Sequence, residues 1–171
     1  ETGYDLVDFP NKQRLFGLNL NSFKKFEFNN FKVKVHYSIG NSEDSINLNF
    51  WNSYDSFLNI IEKLLEYLFE FIREFGLRLP VEDSFLRRNG GDASYDIYIL
   101  KIDNENIKGY TAGEAYIPFT KNTLDISTYL VISNDLDYDW LKTVLFHEFF
   151  HSIQSSYDWF ESEWISEGLA V

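Results

Sequence analysis

The stretch LFHEFFHSIQ, residues 145–154, carries His147 and His151 four apart, with Glu148 directly after the first. On a helix, residues i and i+4 share one face, with Cβ atoms about 5–6 Å apart. Both imidazoles can then reach a single metal ion at about 2 Å. Glu148 falls about a quarter-turn round the helix. There it sits beside such an ion without binding it and can accept a proton from water held by the metal. That is the physical content of the H-E-x-x-H pattern. The blander reading is a buried aromatic helix that happens to hold two histidines. Context weighs against it. Two of the chain's three histidines fall in the motif, and Phe146, Phe149, Phe150 and Ile153 would seat the helix in a dry core.

A third ligand sharpens the reading. The metzincin extension would put Gly at position 154 and His or Asp at 157, but these positions hold Gln154 and Tyr157. Three glutamates follow: Glu161, Glu163 and Glu167. Glu167 lies in WISEGLA, where the chain restarts as a helix and would hold a carboxylate rigidly. Fifteen residues separate it from His151, enough for a reversing loop and a first helical turn. Two histidines and a glutamate, with water in the fourth position, make a catalytic zinc arrangement. The competing reading of Glu167 is an acid favoured in a first helical turn by the dipole.

The elements that must position these residues are legible from periodicity. Phe57, Ile60, Ile61, Leu64, Leu65, Leu68, Ile72 and Phe75 recur at helical spacing, which predicts a backing helix over 54–75. Asn52 or Ser53 can cap its start, and Gly76 stands where a C-terminal cap belongs. FKVKVHYSI (31–39) alternates and reads as a half-buried strand. YDIYILKI (95–102) reads as a buried strand, and GEAYIPF (113–119) as a shorter one whose Pro118 suits an edge. ISTYLVISN (126–134) is apolar on both faces and so interior. The HEFFH helix runs over about 138–156, with Asp137 or Asp139 as its N-cap. Residues 1–30 read as irregular, punctuated by Asn29–Asn30. The class is α+β: a twisted, mostly antiparallel or mixed sheet with a backing helix and an active-site helix, residues 31–171 forming one domain.

Composition bounds the possibilities. The chain has 171 residues, 44% hydrophobic and 19% aromatic, enough for one domain with a ring-rich core and against disorder. A net charge of −12 argues against nucleic acid or an anionic membrane as partner. There is no cysteine, so any zinc site is built from histidine and carboxylate. The longest apolar run, 57–75, is broken by Glu62, Lys63, Glu66, Glu70, Arg73 and Glu74, which predicts no membrane span. The absence of methionine suggests a processed or excised piece.

HEFFHSIQ followed by WISEGLA resembles the gluzincin zinc metallopeptidases, which share HExxH plus a glutamate on the next helix. FKVKVHYSIG, FGLRLPVEDSF, YDIYILKI, KGYTAGE and TYLVISND resemble a group of secreted, bacterial-type metallopeptidases, so the likeness covers roughly 31–170. The resemblance implies a zincin-like fold with Zn2+ held by His147, His151 and Glu167, and Glu148 as catalytic residue. It implies an endopeptidase acting on peptide or protein substrates, secreted or at the cell surface. It also implies that the strand carrying Gly113, Glu114, Ala115 and Tyr116 binds substrate as an added strand. One departure stands out. Gluzincins continue after the glutamate into a lower subdomain, whereas Val171 comes four residues after Glu167. The C-terminal subdomain is therefore expected to be short or truncated, as in the minigluzincins.

The expected reaction is peptide hydrolysis, with Glu148 as general base and then acid on zinc-bound water. Tyr157 and His36 are candidate oxyanion donors, and Asp158 or Gln154 could orient a ligand imidazole. The main alternative is a zinc-binding module of weak or no activity that acts in protein binding. A third reading is a zinc hydrolase acting on something other than peptides.

Overall fold

The computed structural model describes residues 20–81, 91–116, 126–157 and 167. Strand β1 (Ser22–Phe28) and strand β2 (Phe31–Tyr37) pair antiparallel with Phe28 opposite Phe31. Asn29 and Asn30 make the turn with φ of 50° and 71°. Asparagine tolerates this left-handed region better than other non-glycine residues, and two such residues in succession suit a tight hairpin. This corrects the expectation that residues 1–30 are irregular throughout. Strand β1 hides in the sequence because, of its side chains, only Phe26 is buried. The Asn pair between two phenylalanine-rich runs was the available signal.

Helix α1 (Tyr54–Phe75) follows, and the chain then enters β3 (Tyr95–Leu100), which runs parallel to β2. Ser53 Oγ accepts the Ser56 amide at 3.1 Å, which fixes the helix start. Gly76, at φ 63°, ends it. There the Gly76 amide donates to Arg73 O and the Leu77 amide to Ile72 O, satisfying carbonyls of the last turn.

Strands β4 (Gly109–Tyr116) and β5 (Ile126–Ser133) complete a mixed sheet of order β1-β2-β3-β5-β4. Strand β5 lies between β3, to which it is parallel, and β4, to which it is antiparallel. That interior place explains why the strand is buried without a break from Ile126 to Ile132 and is apolar on both faces. The sheet is evenly mixed rather than mostly antiparallel: β2–β3 and β3–β5 are parallel, β1–β2 and β4–β5 antiparallel. Strand β4 is an edge strand, as expected, but it begins at Gly109 rather than 113. Its two glycines lower the strand signal, and a bulge between Gly113 and Ala115 breaks the alternation. Residues 117–119 lie outside the described residues.

Both helices cover the same sheet face. Val33, Val35, Ile97, Ile99, Leu130 and Ile132 from the sheet pack in one cluster with Ile61, Leu64 and Leu65 of α1. Helix α2 (Tyr138–Ser155) adds Leu141, Leu145 and Phe149. The Phe149 ring meets Phe69 of α1 at 5.7 Å and Tyr95 of β3 at 5.2 Å, joining all three layers of contact. Burying such a side chain contributes about 1.5–3 kcal/mol. Helix α2 starts at Asp137, whose carboxylate accepts the Trp140 amide at 2.9 Å. Among the described residues, no helix is long and apolar enough to cross a membrane.

Candidate metal centre

The core contacts of Leu141, Leu145 and Phe149 fix the rotation of α2, and β4 and β5 flank it. His147 and His151 then bring their Nε2 atoms within 3.0 Å of each other, with the rings edge to face. Glu167, whose backbone is helical, places Oε2 3.4 Å from His147 Nε2 and Oε1 3.5 Å from His151 Nε2. Four-coordinate zinc, with bonds of about 2.0–2.2 Å, holds neighbouring ligand atoms roughly 3.3–3.5 Å apart. The two edges to Glu167 match that span and the His147–His151 edge is shorter, and two imidazoles with one carboxylate are a zinc-type donor set. His147, His151 and Glu167 could therefore hold a metal ion. The histidines are the sunken half of the set and the carboxylate the exposed half: their side chains are 30%, 15% and 57% exposed. The set is open to solvent on the Glu167 side.

Gln154 settles which nitrogen of His151 faces the cluster. Its Oε1 lies 2.8 Å from His151 Nδ1, and Gln154 is buried. Since a carbonyl oxygen only accepts, Nδ1 carries the proton and donates. Nε2 keeps its lone pair and points it at the other donors. Of the candidates for an imidazole-orienting role, Gln154 has this contact. Asp158 lies outside the described residues.

Glu148 is tied to strand β4. Thr111 Oγ1 lies 2.6 Å from the Glu148 carbonyl and 3.0 Å from its Oε2. Burial pushes the Glu148 carboxyl above its ordinary value. The Thr111 hydrogen bond and the two histidines oppose the rise, and Glu167 adds to it. A carboxyl shifted in this direction holds a proton more readily near neutrality, which suits a group that must take one and give it back. Gly109 lets the strand come this close: a Cβ there would collide with Val144 Cγ1 and press on Val131 O. Neither Thr111 nor Gly109 was singled out in the sequence. Their i, i+2 spacing puts them on one face of a strand, and that signal could be read only once β4 was known to start at Gly109.

A pocket of ≈ 510 Å³ adjoins the cluster, with Ile107, Gly109, Trp140 and Val144 on its walls beside His147 and Glu148. Beyond Thr111, β4 continues through Gly113, Glu114, Ala115 and Tyr116. Among the described residues, β4 pairs with β5 alone, so its outer edge carries no other described strand.

Two candidates are directed elsewhere. His36 alternates with Val33 and Val35, which face the helices, so its ring lies on the opposite sheet face. There Nε2 is 2.7 Å from Asp96 Oδ1, and the ring stacks on Tyr98 at 4.5 Å. The Tyr157 hydroxyl accepts the Arg78 amide at 2.9 Å, and its ring stacks under the Arg78 guanidinium at 4.7 Å. The His36 ring is thus turned away from the helix that carries the cluster, while the Tyr157 hydroxyl, which accepts from Arg78, still has its own proton to donate. Comparison with protein families, with curated proteins and with solved structures found no match to the chain. The reading of the site therefore rests on its own residues.

Proposed function

We propose that the chain is a zinc-dependent endopeptidase of the gluzincin kind, with a zincin-like fold. The observation that carries this reading is the triangle of His147, His151 and Glu167 donors with Glu148 next to it. Zinc bound there would acidify a water molecule and polarise a carbonyl oxygen. Glu148 takes the proton of the attacking water and delivers it to the leaving amine. Its place on α2 against Thr111 of β4 supports that role. A peptide substrate is favoured by the outer edge of β4, including Gly113, Glu114, Ala115 and Tyr116, where an extended chain can add as a strand. The adjoining pocket, with its Trp140 and Ile107 walls, suits a substrate side chain. Secretion or cell-surface location belongs to the same proposal.

The test is digestion of a peptide library with added zinc, using Glu148→Gln as the blank, with zinc content read by mass spectrometry. The expected result is one zinc on both proteins and cleavage by the unmodified chain alone. Zinc without cleavage by either would favour the non-catalytic, metal-binding reading. Absence of zinc from both would end the two readings together.

A further inference from the structure

Among the described residues, Thr111 is where the edge strand β4 meets the HEFFH helix through a side-chain hydrogen bond to Glu148. A glutamate has three side-chain torsions and, left to itself, samples several positions. Thr111 Oγ1 lies within hydrogen-bond reach of both the Glu148 carbonyl and the Glu148 carboxylate, and its single proton is shared between them when the carboxylate is ionised. Threonine is stiff at χ1, and strand β4 is held against β5 over its whole described length. The close approach that makes the contact possible depends on Gly109, two residues earlier on the same strand face. From below, Ser152 Oγ also lies 3.4 Å from the Glu148 carbonyl and 2.5 Å from the Tyr95 hydroxyl. The backbone at Glu148 is thus held from two sides, while among the described residues its carboxylate is hydrogen-bonded from β4.

We infer that Thr111 is a positioning residue, whose hydroxyl fixes the Glu148 carboxylate beside the His147–His151–Glu167 cluster. This rests on the proposed function, since Glu148 is taken as the proton carrier. Thr111 touches no metal donor in the cluster and acts only through Glu148. A hydroxyl both donates and accepts, so the contact can persist through a reaction in which the carboxylate changes partners. The strand that the proposal assigns to substrate thereby also holds the base. Movement of β4 on substrate binding would be transmitted to Glu148 through this one side chain.

The test uses the full chain with zinc and the variants Thr111→Val and Thr111→Ser. Three quantities are read: zinc affinity by chelator competition, kcat and KM on a cleaved peptide, and the Glu148 side-chain position by crystallography. Thr111→Val should keep zinc affinity and thermal stability near those of the unmodified chain. It should lower kcat by about 10- to 100-fold with KM little changed, the scale of a misplaced reacting group. Thr111→Ser should restore most of kcat. In the crystal, the Glu148 carboxylate should leave its place in the valine variant and keep it in the serine variant. An unchanged kcat, or an unmoved carboxylate in Thr111→Val, would overturn the inference. If the unmodified chain cleaves nothing, the proposed function has failed, and the carboxylate position still decides whether Thr111 holds Glu148.

Discussion

The molecule places imidazole beside carboxylate twice, once on each face of its sheet, and the two sites use the same groups differently. On the face away from the helices, His36 Nε2 lies 2.7 Å from Asp96 Oδ1, a full hydrogen bond, and Tyr98 covers the ring. On the helix side, His147 and His151 turn their Nε2 atoms toward each other, and the Glu167 oxygens stand off at 3.4 and 3.5 Å. Those separations are too long for strong hydrogen bonds but match the span of ligands around zinc. Burial differs as well. The Asp96 side chain is 1% exposed and that of Glu167 57%. The first pair is closed into the protein and the second set opens to solvent. Donor type does not separate a structural pair from a metal site; spacing and access do.

The largest expected effect comes from removing a donor. Zinc held by four ligands is bound by about 10–16 kcal/mol, so each ligand contributes a few. His147→Ala should therefore weaken zinc binding on the order of 1000-fold, while His36→Leu should leave it within about twofold. Chelator competition measures both. Equal losses from the two substitutions would erase the distinction drawn between the faces.

The same His36→Leu change should be felt in stability instead. It strands Asp96, and breaking a buried pair by removing one partner costs about 3 kcal/mol or more. The effect has a pH signature. Burial already pushes the Asp96 carboxyl up, against the His36 hydrogen bond and charge and the Lys34 charge, with Asp92 adding to the rise. Losing His36 raises it further. The penalty falls on the ionised form, so it is full above the raised pKa and relieved as pH falls through it. Urea unfolding should show a larger gap between variant and unmodified chain at neutral pH than in acid. A gap that widens in acid would mean that His36 is not what keeps Asp96 charged.

How much of this could be read beforehand differed by element. Helix α1 matched its 54–75 reading, because an apolar stripe, Ser53 and Gly76 all agreed. Strand β5 was legible as interior from its two-sided apolar run. Strand β1 was not, because most of its side chains face solvent. The start of β4 was hidden by Gly109, a residue chosen for close packing and not for strand propensity. The pairing of His147 and His151 on one helix face was legible because H-E-x-x-H depends on local helix geometry, which sequence spacing encodes. Thr111 lies 37 residues from Glu148, and no spacing rule connects them before the strand is docked on the helix. His36 and Tyr157 meet partners farther off still, Asp96 at 60 residues and Arg78 at 79.

The smallest of these effects tests the comparison at a single atom. Gln154 Oε1 holds His151 by Nδ1, whereas Asp96 holds His36 by Nε2. On this reading the choice of nitrogen decides which imidazole is available to a metal. Gln154→Leu keeps an apolar bulk in the buried slot but leaves the Nδ1 proton without that acceptor and frees the ring to change tautomer. Loss of such an outer partner typically weakens metal binding 10- to 100-fold, and that is the loss expected here. Gln154→Glu keeps the acceptor and increases the basicity of the ring, so its zinc affinity should match or exceed that of the unmodified chain. Chelator competition on the two variants separates orientation from packing. If leucine binds zinc as tightly as glutamine does, the helix alone aims His151, and the tautomer argument fails.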